Sequence, residues 1–234
     1  MRAFALAAGL GTRLRPLTDR IPKCLVPIGG RPQLLYWFDL LQSHGVDHVL
    51  VNTHHLPEQV VEFVEQTRLP MQVTLVYEPT LLGSAGTLRA NRAFVEDTEE
   101  FFVVYADTLT DADLTAMLMA HRKAGQMATL GLFRTPTPSA CGIVELDERG
   151  IVTNFVEKPS EPPSDLAFAG VVVASPEIFD IIPNQAPCDL GKDVFHRMVG
   201  RMAGWELKDA YVRDIGTPET YAQAQTEIDK VRFS

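Results

Sequence analysis

The sequence is poor in cysteine, in histidine sets and in long apolar runs, and each scarcity removes a class of protein. Three cysteines stand in 234 residues, Cys24, Cys141 and Cys188. They are odd in number, widely spaced and without a Cys-x-x-Cys pair, so neither a disulfide framework nor a thiolate zinc site is indicated, and a reducing cytoplasm is expected. Nothing near Cys141 or Cys188 would lower a thiol pKa, so both read as core thiols. No run approaches the roughly 18 apolar residues of a membrane span. The opening Met1 to Gly9 is too short in its apolar stretch for a signal peptide and reads as a first strand. Histidines number six, and His44, His48, His54 and His55 lack the spacing of a zinc set. Positive charge is also short: 21 Lys and Arg face 30 Asp and Glu, a net of -9. That excludes non-specific binding to nucleic acid or an anionic membrane, and by the average it disfavours any anionic ligand.

What remains is an ordinary globular composition, 46% hydrophobic with 22% charged residues, in a length that suits one domain. Short apolar runs alternate with helical patterns in the first half, the signature of βαβ units and a largely parallel sheet. Strands are expected at Ala3 to Ala7, His48 to Asn52, Gln72 to Tyr77, Phe101 to Tyr105 and Ala128 to Phe133. Helices are expected at Pro32 to Ser43, Pro57 to Gln66, Ala85 to Val95 and Asp113 to Lys123. Beyond about residue 134 two alternating runs flank Asp147-Glu148-Arg149-Gly150, which predicts a hairpin. An exposed loop at Ser160 to Asp165, a strand at Phe168 to Ala174, a helix pair (Ser175 to Ile182, Lys192 to Arg201), a strand region from Trp205 to Asp214 and a last helix from Pro218 to Val231 complete the reading. The expected organisation is a single domain over 1–234, with a first half at 1–134 and a second at 135–234.

The chemistry concentrates near the start. Leu6-Ala7-Ala8-Gly9-Leu10-Gly11-Thr12-Arg13-Leu14-Arg15-Pro16, followed by Pro22-Lys23, puts a glycine-rich turn directly after a strand. Without a Cβ, such a turn lets backbone N–H groups approach phosphate oxygens. A dinucleotide fingerprint would need a third Gly where Leu14 stands, and a P-loop would need Gly-Lys-Ser/Thr, which is absent. A nicotinamide enzyme also lacks a ribose-binding acid after the second strand, where Asn52-Thr53 stand. Local charge reverses the average: residues 1–31 hold six basic side chains and one acid, a net of +5, and the other 203 residues carry -14. Guanidinium and ammonium groups there can bind a polyphosphate and neutralise charge on a leaving pyrophosphate.

This stretch resembles the signature of the sugar-1-phosphate nucleotidyltransferases. The resemblance continues, in the family's order, through Leu82-Gly83-Ser84-Ala85-Gly86-Thr87-Leu88, Tyr105-Ala106-Asp107, Val156-Glu157-Lys158-Pro159, Ala169-Gly170-Val171 and Asp214-Ile215-Gly216-Thr217-Pro218. It implies a Rossmann-like α/β/α sandwich with a mixed, mainly parallel sheet, residues 1–134 forming the nucleotide-binding half and residues 135–234 the sugar-binding half and closing helices. It also implies direct attack of a sugar phosphate oxygen on the α-phosphorus of a nucleoside triphosphate, with Mg²⁺ bridging the phosphates. On that basis Arg13 and Lys23 are the catalytic residues. Ala8, Gly9, Gly11, Thr12, Arg13, Ser84 and Gly86 are the nucleotide-binding positions, Ser84 offering a hydroxyl. Gly142, Glu157, Lys158 and Gly170 are the sugar-phosphate positions, and Asp107 and Asp214 the metal ligands. Position alone also favours Asp107, which closes a buried strand where open α/β sheets place ligands, while Thr110 or Asp111 can cap the helix that follows. Thr217 is a good N-cap, which leaves Asp214 free. Glu78, at a strand end, reads as merely solvated.

Two positions depart from the family pattern, Cys24 in place of Pro and Ala106 in place of Gly. The segment Asp189-Leu190-Gly191-Lys192-Asp193 looks most like guanylyltransferases acting on mannose or heptose 1-phosphate, with uridylyl- and thymidylyltransferases sharing the framework. The expected reaction partners are therefore GTP, or another nucleoside triphosphate, and a sugar 1-phosphate. Because the chain closes soon after Asp214, no C-terminal β-helix and no second activity are expected. A catalytically silent nucleotide- or sugar-sensing domain is the rival, which retention of Arg13, Lys23, Asp107 and Asp214 together argues against. Either a monomer or a homodimer fits, with Trp205, Phe195 and Met198 as interface or core.

Overall fold

The computed structural model describes residues 1–231. In chain order the elements are β1 (Arg2–Leu6), β2 (Pro27–Ile28), β3 (Arg31–Pro32), α1 (Gln33–Ser43), β4 (His48–Thr53), α2 (Pro57–Gln66), β5 (Gln72–Tyr77), α3 (Ser84–Ala90), β6 (Phe101–Tyr105) and β7 (Thr108–Thr110). They continue with α4 (Leu114–Ala124), β8 (Ala128–Arg134), β9 (Gly142–Leu146), β10 (Val152–Glu157), β11 (Leu166–Ala174), β12 (Met202–Glu206), β13 (Val212–Asp214) and α5 (Pro218–Glu227). The strands and helices expected in the first half are present with ends shifted by a residue or two, except that the helix expected at Ala85 to Val95 stops at Ala90 and gives way to a 3-10 turn at Arg92–Phe94. No helix among the described residues is long and apolar enough to cross a membrane.

The chain forms two compact units. The first comprises Met1–Leu81, Val104–Ala112 and Ala210–Ser234, and the second Leu82–Val103 and Asp113–Asp209. The units are discontinuous, so a division at residue 134 does not follow them. Residues 82–103 join the second unit because the start of α3 hydrogen-bonds a much later segment: the N–H groups of Ala85 and Gly86 both donate to the Cys188 carbonyl at 3.0 Å.

In the first unit β4 lies between β1 and β5, all parallel, with Leu6 opposite Asn52 and Thr53 opposite Tyr77. β4 is buried from its second residue onward, which is why it reads as an almost continuous apolar run. α1 turns Leu34, Trp37, Phe38 and Leu41 into the core, and the Trp37 indole donates to the Thr108 carbonyl at 2.7 Å. Ile28, Tyr36, Leu109, Ile215, Ala224 and Ile228 form a further buried cluster under α5. Thr217 caps α5 as expected, with Thr220 completing a capping box.

In the second unit β8 runs antiparallel to β11 and parallel to β12, while β9 pairs with both β11 and β10 in antiparallel fashion. The hairpin at Asp147 to Gly150 is present; the Asp147 carboxylate accepts from the N–H groups of Arg149 and Ile151. Three expectations are corrected here. The helix pair is instead a 3-10 turn at Pro176–Asp180, a π turn at Leu190–Val194 and a 3-10 turn at Phe195–Met198. Pro183 and Pro187 remove donors between them, and Phe195 and Met198 are fully buried by turns too short to be a helix. The strand region from Trp205 breaks into β12 and β13 at a turn where Asp209 has φ +63°. Finally, Asp113 caps α4 by accepting from Ala116 N–H at 2.8 Å, whereas Thr110 accepts from Ala112 N–H and Asp111 from Tyr211 N–H.

Candidate functional site

In the first unit the glycine turn leaves β1 at Leu6. Ala7 N–H donates to Asn52 Oδ1 at 2.7 Å, and Asn52 Nδ2 donates to Glu78 Oε1 at 2.9 Å. Both side chains are buried, Glu78 to 2% exposure. The expectation that Glu78 is merely solvated is therefore corrected, since it anchors the amide that holds the start of the turn. Ala8 is buried, and Gly9 faces open space. Gly11 has φ +63°, and a Cβ there would lie 2.8 Å from Thr18 Cγ2 and 3.2 Å from Lys23 Cβ, so glycine is required for conformation and for space. Thr18 Oγ1 donates to the Gly11 carbonyl at 2.8 Å, and His55 Nε2 donates to the Thr18 carbonyl at 2.8 Å. Thr12 opens a single 3-10 turn with Arg13, and Leu14, where a third Gly would stand, is a buried anchor.

Four charged side chains gather beside this turn. Lys23 Nζ meets Asp107 Oδ2 at 2.6 Å with Lys23 only 7% exposed. β7 and β13 pair antiparallel, placing Asp214 opposite Thr108 and thus next to Asp107 across 107 residues of sequence. A Cβ on Gly216 would strike the Asp214 carboxylate and come within 2.7 Å of Arg13 Nη2, so Arg13 and Asp214 share the space that Gly216 leaves. The Asp214 pKa is raised above the ordinary carboxylate value, first because its carboxyl is crowded away from water, although the residue keeps accessible surface, and next because of Asp107; Lys23 and Arg13 oppose both. Two carboxylates that repel one another offer hard oxygen donors to a divalent cation. No set of three His, Cys, Asp or Glu side chains fit to hold a metal occurs among the described residues. A pair of acids completed by phosphate and water is the donor set that suits Mg²⁺.

The second unit carries the other expected positions. Glu157 ends β10 between two glycines: a Cβ on Gly142 or on Gly191 would lie 2.8 Å from Glu157 Oε2. Burial raises the Glu157 pKa, Lys158 lowers it, Asp189 raises it and Lys192 lowers it. Lys158, with φ +49°, places Nζ 3.9 Å from Glu157 Oε1. Gly170 is buried at φ +75°, where the register of β11 on β8 shifts between Phe168 and Val172, so it redirects the strand. Ser84 and Gly86 have partners within the chain. The Ser84 hydroxyl donates to Asp189 Oδ2 at 2.9 Å and accepts from Leu190 N–H at 2.7 Å, while Gly86 N–H is bound to the Cys188 carbonyl. Both groups hold the loop at residues 188–194.

Sequence reasoning passed over Asn52, Asp189, Gly191 and Gly216 as site-building residues. A polar residue within a buried strand was the available signal for Asn52; the two glycines stand in the motifs quoted above, but what they make room for depends on neighbours distant in the sequence. The cysteines are core residues in part: Cys24 and Cys188 are buried and Cys141 half-buried, and burial pushes the Cys24 thiol up to about 12.

A family model described as nucleotidyl transferase matches residues 2–231. The chain belongs to the nucleotidyl transferase family. Among its relatives are a UTP--glucose-1-phosphate uridylyltransferase of Synechocystis, 36% identical over 85% of this chain, and a mannose-1-phosphate guanylyltransferase of Mycobacterium tuberculosis, 33% identical over 97%. A mannose-1-phosphate guanylyltransferase of Arabidopsis thaliana is 32% identical over 94%. The chain spans 55%, 64% and 63% of the length of these three relatives. A solved Bacillus anthracis structure named for glucose-1-phosphate thymidylyltransferase superposes with a TM-score of 0.88 at 20% identity, over 100% of this chain and 97% of its own. HddC from Yersinia pseudotuberculosis superposes at 0.82 with 23% identity, over 97% and 99%. These likenesses establish the fold, and the expected Rossmann-like α/β class with a mixed sheet holds. The resemblance to sugar-1-phosphate nucleotidyltransferases, read from the motifs, holds as well.

Proposed function

We propose that this chain transfers a nucleotidyl group from a nucleoside triphosphate to a sugar 1-phosphate, with GTP and a mannose- or heptose-type sugar favoured. The observation that carries the reading is the gathering of Arg13, Lys23, Asp107 and Asp214 beside an amide-presenting glycine turn. A sensor of nucleotide or sugar has no use for two acids and two bases so arranged.

In this reading Gly9, Gly11 and Thr12 present backbone N–H groups to the triphosphate, with Ala8 small enough for the base to approach. Arg13 and Lys23 orient the phosphates and offset the charge that builds on the leaving group. A phosphate oxygen of the sugar 1-phosphate attacks the α-phosphorus, the bond from that phosphorus to the β-phosphate oxygen breaks, and pyrophosphate departs with the electron pair. Asp107 and Asp214 would hold Mg²⁺, which when bound supplies positive charge at the phosphate oxygens. By the same resemblance Glu157, in the notch between Gly142 and Gly191, accepts from sugar hydroxyls, Lys158 meets the sugar phosphate, and Gly142 and Gly170 complete the sugar-phosphate positions.

GTP is favoured because the guanylyltransferase relatives match 97% and 94% of this chain, against 85% for the uridylyltransferase. The higher identity of the latter, 36%, supports UTP as the second reading, with dTTP beside it. A panel of nucleoside triphosphates against sugar 1-phosphates, with and without Mg²⁺ and scored by pyrophosphate release, tests all of this. Release only with GTP and mannose or heptose 1-phosphate is expected; release with no pair would leave the sensing domain as the better reading.

A further inference from the structure

Lys23 occupies a ligand of the proposed metal site. Its ammonium lies 2.6 Å from Asp107 Oδ2, and its side chain is 9% exposed while that of Asp107 is 35% exposed. A lysine so buried has little water to return to and needs an acceptor, whereas the carboxylate can exchange one cation for another. The base of the lysine stem is fixed. Its Cβ packs beneath Gly11, and the backbone is held in the Lys23–Leu25 turn by buried Cys24. Beyond Cβ, three rotatable bonds leave the ammonium free to swing while the turn above it stays in place.

We propose that Lys23 is the resident counter-ion of the metal site: in the nucleotide-free protein it holds Asp107 against divalent cations, and a triphosphate arriving at the glycine turn draws the ammonium away. The same charge then serves twice, first on Asp107 and afterwards on phosphate. Nucleotide and metal become coupled ligands, because each relieves the contact that opposes the other, and linkage makes that coupling reciprocal. The inference rests on Asp107 and Asp214 as the metal pair, so its test separates the two claims.

Mn²⁺ alone is titrated into nucleotide-free protein and free ion is read by electron paramagnetic resonance, with thermal melts confirming that each variant is folded. Lys23→Met is expected to bind Mn²⁺ about tenfold tighter than the parent, the scale of a close charge pair. Lys23→Gln serves equally if Lys23→Met fails to fold. Lys23→Arg, which keeps an ion pair, is expected to stay within about threefold of the parent. Arg13→Met removes the same charge from beside Asp214 and is expected to gain less than half as much as Lys23→Met. Binding by Lys23→Met no tighter than the parent, or an equal gain in Arg13→Met, would overturn the counter-ion role. In the double variant Lys23→Met/Asp107→Asn the gain is expected to vanish; if it persists, the assignment of metal to Asp107 fails instead.

Discussion

Gly216 shows how much a single missing methyl can decide. Its absent Cβ leaves room for the Asp214 carboxylate and the Arg13 guanidinium, both of which are the far ends of movable side chains. Gly216→Ala should therefore displace two functional groups while straining little else. We predict a fall in kcat of about 100-fold, the usual cost of misplacing reacting groups by about an ångström, with stability changed by less than about 1 kcal/mol. Steady-state kinetics beside a urea titration separates the two effects. Glu157 supplies a pH dependence. Burial raises its pKa, so the folded state favours the protonated acid: its contribution to stability is full below the ordinary carboxylate pKa and is lost as pH rises through the raised value. Glu157→Gln should thus melt higher than the parent at neutral pH, the gap closing toward pH 4, while KM for the sugar 1-phosphate rises about tenfold or more from the lost acceptor. A melting series across pH, with KM measured for each substrate, checks both signs. Gln33 is the opposite case, a polar side chain with no evident duty. It is 0% exposed, and its amide has no hydrogen-bond partner among the described residues. Gln33→Met keeps the shape and removes the unpaired dipole, which should stabilise the fold by about 1–2 kcal/mol in chemical denaturation.

At the scale of elements, what could be read in advance depended on whether an element carries its own reason for forming. α1, α2, α4 and α5 have apolar periodicity, caps or a leading proline, and β1, β4, β5 and β6 are apolar runs between turn residues; all were legible. The stretch at residues 175–201 was not, because Phe195 meets Phe155 and Phe168 edge-on and Met198 is fully buried, so tertiary packing rather than helical periodicity places these residues. The same holds for the site. Arg13, Lys23, Asp107 and Asp214 stand in motifs, and those motifs were visible. The joint between α3 and the 188–194 segment was not, since no local pattern says that Ser84 will meet Asp189. That joint makes its own prediction. Gly83 has φ +76° and its Cβ direction runs straight into the Cys188 carbonyl, whereas Ser84 contributes two hydrogen bonds. Ser84→Ala should cost about 1–3 kcal/mol by leaving Leu190 N–H and Asp189 short of a partner. Gly83→Ala should cost more, because neither the backbone angle nor the carbonyl can yield cheaply. Urea midpoints of the two variants rank them.

Across the whole molecule, charge offers the sharpest contrast between average and arrangement. A net of -9 makes the protein as a body repel a triphosphate, and even the magnesium complex of a nucleoside triphosphate remains anionic. The first 31 residues carry +5, and they include Arg13 and Lys23. The two levels predict opposite responses to salt. If the overall charge governs encounter, screening weakens a repulsion and KM for the nucleotide falls as ionic strength rises. If the local segment governs, screening weakens an attraction and KM rises. Arg13 and Lys23 stand at the glycine turn and act on the phosphates at close range in the proposed complex, where salt screens less than it does between charges separated by more than the Debye length of about 10 Å at 0.1 M salt. We therefore predict that KM for the nucleotide rises about 3- to 10-fold between about 0.05 and 0.5 M KCl at saturating Mg²⁺. Arg15 and Arg20 belong to the same segment and are both exposed, so reversing either to Glu should raise KM at low salt and flatten its salt dependence. A KM that falls with salt would mean that the acidic surface, and not the amino-terminal turn, sets the approach of the substrate.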